Sequence, residues 1–519
     1  MAHLRAAIFA ALFIVIGALG AAAQDVTLRS RDGAIEIVGT LLGFDGEFYR
    51  VETEFGELTV DGSGVNCTGF GCPSLIDFVA EISVSGSATI GRVLMPALIE
   101  GFALRNNLIS ERLTEKDDPA RFTYVLRDGD KPVGRFHFHV SNTDEGFADL
   151  LADEADIVMA MREIRPDEVR QAREAGLGDM ADSRRSRVIA LDAMVPLVEA
   201  GNPVVALSIT DIVRVLAGRV DNWSAFGGPD APITVHLRGA QSGLSQAMED
   251  RLLRPARAEL GASVVRHASN RALVAAVASD PFGLGLGSFS DTGLTKTLVL
   301  TGPCGFQLRA ARRTIKTEDY PLTAPMFLYV PARRLPALGR DFLAYTRSTP
   351  AQIVIRRAGF VDQEPEAVPM DLQGDRFANA VLVAKDAGGL ESLQAMTRAL
   401  LRKQRLSLSF RFEAGSARLD AQSRSNVMQL ASALEAGTFD GRALHFVGVS
   451  DGAGPAAGNL PIATRRATAV REAVELAADT ADLSRVTLSV QAFGEAMPMA
   501  CDDSAWGRQV NRRVEIWVD

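Results

Sequence analysis

Across 519 residues the chain holds only four cysteines, six histidines, three tryptophans and five tyrosines. So few histidines and cysteines leave little to build a metal centre from. His137 and His139 share one face of a predicted strand, but no third ligand stands nearby at metal-binding spacing. Basic residues are also short: 55 Lys and Arg against 64 Asp and Glu leave a formal charge of −9. Such a balance argues against a nucleic-acid partner, because releasing counterions from a phosphate backbone takes clustered cations. Beyond the first 19 residues there is no apolar run near the roughly 20 residues a membrane-spanning helix needs. Nor is there the long series of alternating strands that makes a membrane barrel. A Walker loop, a dinucleotide fingerprint between strand and helix, and a Gly-x-Ser-x-Gly elbow are all missing. Catalysis and a cofactor are therefore not expected.

What is present begins with Arg5, an apolar stretch from Ala6 to Leu19, and Ala21-Ala22-Ala23 ahead of Gln24. This is the layout of a cleaved export signal, taken here as residues 1–23. No cysteine follows the small residues, so no lipid anchor is expected at a new N-terminus. Export to an oxidising compartment makes disulfides plausible. Cys67 and Cys72 flank Thr-Gly-Phe-Gly and are expected to pair around a tight loop. Cys304 and Cys501 lie far apart in sequence, and either bridge two domains or remain buried thiols.

The length allows two or three domains. Residues 24–74 read as a small β domain, with strands near 26–28, 34–42, 47–53 and 57–60 separated by Asp32-Gly33, Asp45-Gly46 and Glu54-Phe55-Gly56. Over 75–363 short apolar strands alternate with amphipathic helices, the rhythm of α/β architecture with a largely parallel sheet. Residues 364–403 are a proline-bearing linker followed by a helix. Residues 404–519 form a last domain that opens and closes on strands.

Three strand-to-helix junctions in the middle segment are rich in small and hydroxyl residues: Ser85-Gly86-Ser87-Ala88-Thr89, Ser141-Asn142-Thr143-Asp144-Glu145-Gly146, and Arg238-Gly239-Ala240-Gln241-Ser242-Gly243. Such junctions aim N–H groups and hydroxyls at one crevice and suit an anion, although the same residues are ordinary helix starters. With Ala155-Asp156-Ile157, Gly218-Arg219-Val220-Asp221-Asn222-Trp223, Tyr320-Pro321-Leu322 and Gly359-Phe360-Val361, the segment resembles the phosphate-binding protein of the phosphate importer and its type II periplasmic-binding-protein relatives. The resemblance implies a two-lobed domain. Ser87, Thr89 and Ser141 would hold an oxyanion from one lobe, and Arg238, Ser242 and Gly243 from the other. Arg162 stands near where phosphate-specific members place an aspartate, and Leu244 replaces a usual hydroxyl. The ligand is then phosphate, another oxyanion, or none.

In the last domain Gly448-Val449-Ser450-Asp451 precedes Asn459, Arg466-Ala467 on a helix beginning near Pro461, and Asn511-Arg512-Arg513-Val514-Glu515. Arg466 shares the apolar face of that helix, and a guanidinium there needs an anion or an open site beside it. Asp451 is the candidate neighbour, although a loop cap and a snorkelling arginine would leave the same pattern. This ordered set resembles the OmpA-like peptidoglycan-binding domain, an α/β sandwich. Its aspartate and helix arginine grip the diaminopimelate of the stem peptide. The resemblance implies a site of Asp451, Asn459, Arg466 and Arg513. Val449-Ser450 replaces the usual His-Thr.

The chain thus reads as a non-catalytic periplasmic protein, tethered to peptidoglycan near the outer membrane and carrying a domain for phosphate or a similar oxyanion. Two alternatives use the same residues. One is the substrate-binding component of a phosphate importer, working with a membrane permease. The other is a structural envelope protein without a small ligand.

Overall fold

The structure, a computed structural model, describes residues 25–519 apart from 75–76, 385–386, 414–415, 417 and 503–504. The expected export signal, 1–23, lies outside the described residues. The fold is mixed α/β and multidomain, as the sequence predicts.

The first strands, Asp25–Ser30, Glu36–Phe44, Phe48–Thr53 and Gly56–Asp61, form an antiparallel meander. Val26, Leu28, Leu41, Tyr49 and Val51 alternate onto its buried face. A fifth strand, Val65–Thr68, returns beside the first with Leu28 opposite Cys67. The sequence pattern predicts four strands and a Cys67–Cys72 loop, without this fifth strand. Cys67 and Cys72 are bridged, as expected, with Cα atoms 5.8 Å apart. Arg334 and Arg340 of the next domain reach Asp45 and Glu47 and seat the sheet on that domain.

Two lobes follow, joined by one curled sheet. In the first, Ala80–Ser87 runs parallel to both Lys131–Ser141 and Ile157–Ala160. In the second, Thr234–Arg238 runs parallel to Val264–His267 and Gly283–Ser288. The 13-residue strand Ser186–Val198 connects them. Its first half pairs with Thr323–Tyr329 and its end with Gly283–Ser288, both antiparallel. The sheet is therefore mixed rather than largely parallel, because long antiparallel ladders bind the lobes where parallel units alone would end.

The last domain is a five-stranded sheet in the order Ala367–Val368, Gln404–Arg411, Arg513–Val518, Ala443–Val449, Thr487–Ala492. Helices Ala421–Glu435 and Ala456–Ala477 pack on it. A Cβ on Gly448 would stand 2.1 Å from the Ala463 carbonyl oxygen, so only glycine lets helix and strand come this close. The helix begins at Ala456, and Pro461 lies inside it.

The start of the segment 364–403, expected to be a linker leading into a helix, is instead packed and charged, together with the preceding Asp362. Lys316 bonds Asp362 at 2.7 Å and Glu366 at 2.9 Å, and Arg376 reaches Glu515. Beside them Arg405 bonds Asp319 at 2.6 Å across the seam between the two-lobed and last domains. Buried charges of this kind need several partners each. Here three guanidiniums, Arg376, Arg405 and Arg513, surround Glu515; burial pushes its carboxyl up, but they outweigh it and hold it well below the usual range. The core is continuous over this seam, with Met499, Ala500 and Val510 joining the apolar cluster of the second lobe. Cys304 and Cys501 close it with a disulfide, Cα atoms 5.8 Å apart.

Candidate functional site

At the end of the first-lobe strand, Ser87 is fully buried and its hydroxyl has no hydrogen-bond partner. Ser141 is its register neighbour, and the Ser141 hydroxyl is also buried and unpartnered. A buried hydroxyl left unpaired costs free energy, so two side by side favour a polar partner at this point. Gly86 brings the strand end in tightly. Its φ is +123°, and a Cβ would meet the Met159 carbonyl oxygen at 2.3 Å.

The second lobe meets this point through Gly243, where a Cβ would lie 3.0 Å from the Ser87 hydroxyl and 2.8 Å from Met161 Cγ. Arg238 ends its strand half-buried and makes no ion pair among the described residues. Burial, and next the charge of Arg92, pull its guanidinium below the ordinary range. Arg92 sits one turn into the helix after Ser87 and was not among the sequence candidates.

Two of the expected anion ligands, Ser242 and Arg162, have partners of their own, and a third, Thr89, has none among the described residues. Ser242 accepts a hydrogen bond from the Ser245 N–H at 3.2 Å and caps its own helix. Thr89 sits in helical conformation and caps nothing. Arg162 is buried and committed to carboxylates: it bonds Glu168 at 2.6 and 2.9 Å and also bonds Asp144. Burial pulls this guanidinium down, but the two acids outweigh it and raise it above its ordinary value. Arg162 is thus a lobe-to-lobe brace rather than a free cation, because Asp144 also accepts from Gln246 of the second lobe at 2.9 Å. Arg165 adds to the brace, reaching Asp250 at 3.3 Å.

Among the histidines, His137, His139 and His236 each have a carboxylate partner. His137 bonds Glu81 at 2.7 Å, His139 bonds Asp149 at 2.7 Å, and His236 lies 3.0 Å from both Asp280 and His267. Among the described residues no group of three or more His, Cys, Asp or Glu has a metal-holding arrangement.

In the last domain, Arg466 lies half-buried on its helix with the guanidinium 5.4 Å above the Phe412 ring. Its Nη1 has no partner. Burial, and then Arg512, pull it below the ordinary guanidinium range, while Asp451 opposes them. Asp451 is therefore a neighbour in charge, but its direct partner is Arg512, 2.7 Å away. The mouth holds three charges rather than the expected pair.

Arg513 does not reach this mouth. It is 0% exposed, bonds Glu515 at 2.8 Å and donates to the Met497 carbonyl at 2.7 Å. Arg513 opens the strand Arg513–Val518 and is buried in it, whereas Arg512 lies in the bend before the strand and remains partly exposed beside Asp451. Asn459 is also buried, and its amide holds Glu495. Asp502 accepts from the Gly452 N–H at 2.8 Å and from Asn511 at 2.8 Å. The loop after Asp451 is thereby tied to the residue following Cys501.

Comparison with known proteins matches residues 130–349 to the PBP superfamily domain and residues 411–512 to the OmpA family. The protein SphX of Synechococcus elongatus is 27% identical over 206 residues, which is 37% of this chain. The chain spans 58% of the length of that curated relative. Among solved structures, an ABC-type phosphate transport receptor from Vibrio cholerae aligns over 54% of this chain and 99% of its own, at 19% identity and TM-score 0.41. PstS from Borrelia burgdorferi aligns over 55% and 98%, at 16% identity and TM-score 0.38.

Proposed function

We propose, for a chain that joins a PBP superfamily domain to an OmpA family domain, a periplasmic, non-catalytic protein that holds peptidoglycan by the second and an oxyanion by the first. One observation carries the wall-binding reading: the half-buried, unpartnered Arg466 guanidinium beside Asp451 and Arg512. A cation in that position gains a charge-assisted bond when a carboxylate enters. Asp451 offers the opposite charge to an ammonium, provided Arg512 swings from it to the incoming carboxylate. The ligand with both groups on one carbon is an amino-acid zwitterion, such as the free end of diaminopimelate in a stem peptide. Losing either charge-assisted contact costs about 1.5–3 kcal/mol, roughly 10- to 100-fold in affinity. Co-sedimentation with purified cell wall tests this: Arg466→Ala and Asp451→Ala each lose binding at least tenfold while far-ultraviolet circular dichroism is unchanged. Full binding by both variants would overturn the assignment.

A second reading, oxyanion binding between the lobes, is favoured by the unpartnered Ser87 and Ser141 hydroxyls and the unpaired Arg238. The carboxylates near this point are committed: Asp149 to Ser85 and His139, and Asp144 to Arg162 and Gln246. A pocket of donors whose nearby carboxylates are all engaged suits a fully deprotonated anion as well as hydrogen phosphate. The disulfide and the charged seam between the domains support a fixed binding domain over an importer component that must visit a permease.

A further inference from the structure

Beside the Cys304–Cys501 bridge, a cavity of about 320 Å³ opens between the second lobe and the last domain. It is separate from the lobe cleft and from the Asp451 mouth, and neither function above uses it. Its walls are apolar: Val213, Leu252, Leu300, Phe306 and Leu308, all buried, with Ala500 from the last domain. Three arginines, Arg214, Arg219 and Arg251, also line it, and no aspartate or glutamate does among the described residues. Arg214 is paired with Asp211 at 3.3 Å. Arg251 donates to the Thr323 carbonyl and feels the charges of Glu318 and Asp420, whereas Arg219 makes no ion pair among the described residues.

We propose that this cavity binds an amphipathic anion of the fatty-acid class, with its chain against the apolar walls and its carboxylate among the arginines. The volume lies at the lower end of the roughly 300–1,000 Å³ range of small-ligand sites, which fits one medium acyl chain rather than a sugar polymer or a peptide. The lining is of the required kind, predominantly apolar with few charged groups of a single sign. A guanidinium without a carboxylate partner, here that of Arg219, selects an anionic head over a neutral or cationic one. Because the lining comes from both domains, the ligand would bridge the seam next to the disulfide.

The test uses the full, oxidised chain and competition between 8-anilinonaphthalene-1-sulfonate and saturated carboxylates below their micellar concentrations. We expect one saturable site whose affinity rises about fourfold per added methylene from hexanoate upward, and then levels once the cavity is full. Dodecanol and dodecylammonium should bind at least tenfold more weakly than dodecanoate. Ala256 lines the cavity from an exposed position, so Ala256→Trp fills it without disturbing the core and should abolish the site. Arg219→Glu, a surface change, should weaken dodecanoate at least tenfold and leave wall co-sedimentation unaltered. Absence of saturable displacement from the wild type, or unchanged affinity in Ala256→Trp, would overturn the proposal. Equal affinity for dodecanoate and dodecylammonium would overturn its charge selectivity.

Discussion

Replacing Cys304 and Cys501 together by serine removes a covalent tie between residues 197 apart in sequence. In the chain-entropy account, a loop of that length withholds about 18 cal/mol/K from the unfolded ensemble, about 5 kcal/mol at 25 °C, the upper end of what disulfides contribute. The Cys67–Cys72 loop, with a separation of 5, withholds only about 2 kcal/mol by the same relation. Little native-state relief should offset the loss. The bridge sits among packed groups, with a Gly302 Cβ position 2.5 Å from Cys501 Sγ, and serine is no larger than cysteine. The folded variant should keep its domains docked through Arg405–Asp319 and the shared apolar core. Guanidinium unfolding provides the assay, because buried tryptophans report on both sides of the bridge: Trp223 in the second lobe and Trp517 in the last domain. We expect one joint transition in the oxidised protein, and in the variant an earlier loss of the last domain by several kcal/mol. A loss below about 1 kcal/mol, or one no larger than that caused by the Cys67→Ser/Cys72→Ser pair, would refute the reasoning.

Glu318 carries a pH dependence. It is buried at the seam between Arg411, at 3.0 Å, and Asn426, with Arg251 and Asp420 also facing it. Burial pushes its carboxyl from the ordinary value of 4.5 to about 7, against the pull of Arg411. The native state then holds the extra proton between those values, so its contribution to stability is full below about pH 4.5 and is lost as pH rises to about 7. The total is about 3 kcal/mol. The difference in unfolding free energy between wild type and Glu318→Gln should fall by that amount over this window, and a pH-independent difference would reject the assignment. For the lobe cleft, calorimetry on the full chain should show sulfate and phosphate binding with comparable affinity, and Arg238→Ala should weaken both at least tenfold. Strong preference for phosphate, or heat unchanged by Arg238→Ala, would show that the anion is held elsewhere or otherwise.

The sequence by itself determined the element types and the family domains, because periodicity, turn residues and motif order are local properties of the chain. The first meander followed from alternation and Asp-Gly turns, and the last domain from the order Gly448 to Glu515. Glycine at 448 is required where strand and helix touch, a need the motif carries without coordinates. Tertiary structure decided which charged groups are free. Arg162 and Arg238 look equally suited to an anion in one dimension, but only folding brings Asp144 and Glu168 to the first and leaves the second alone. Arg512 and Arg513 are adjacent in sequence, and only the folded chain sinks one beside Glu515 and sets the other at the Asp451 mouth. The pairing of Cys304 with Cys501, the packed ion pairs where a linker was expected, and the cavity they enclose arise from contacts across hundreds of residues. No local pattern encodes such contacts, since their energy depends on which distant surfaces exclude water together.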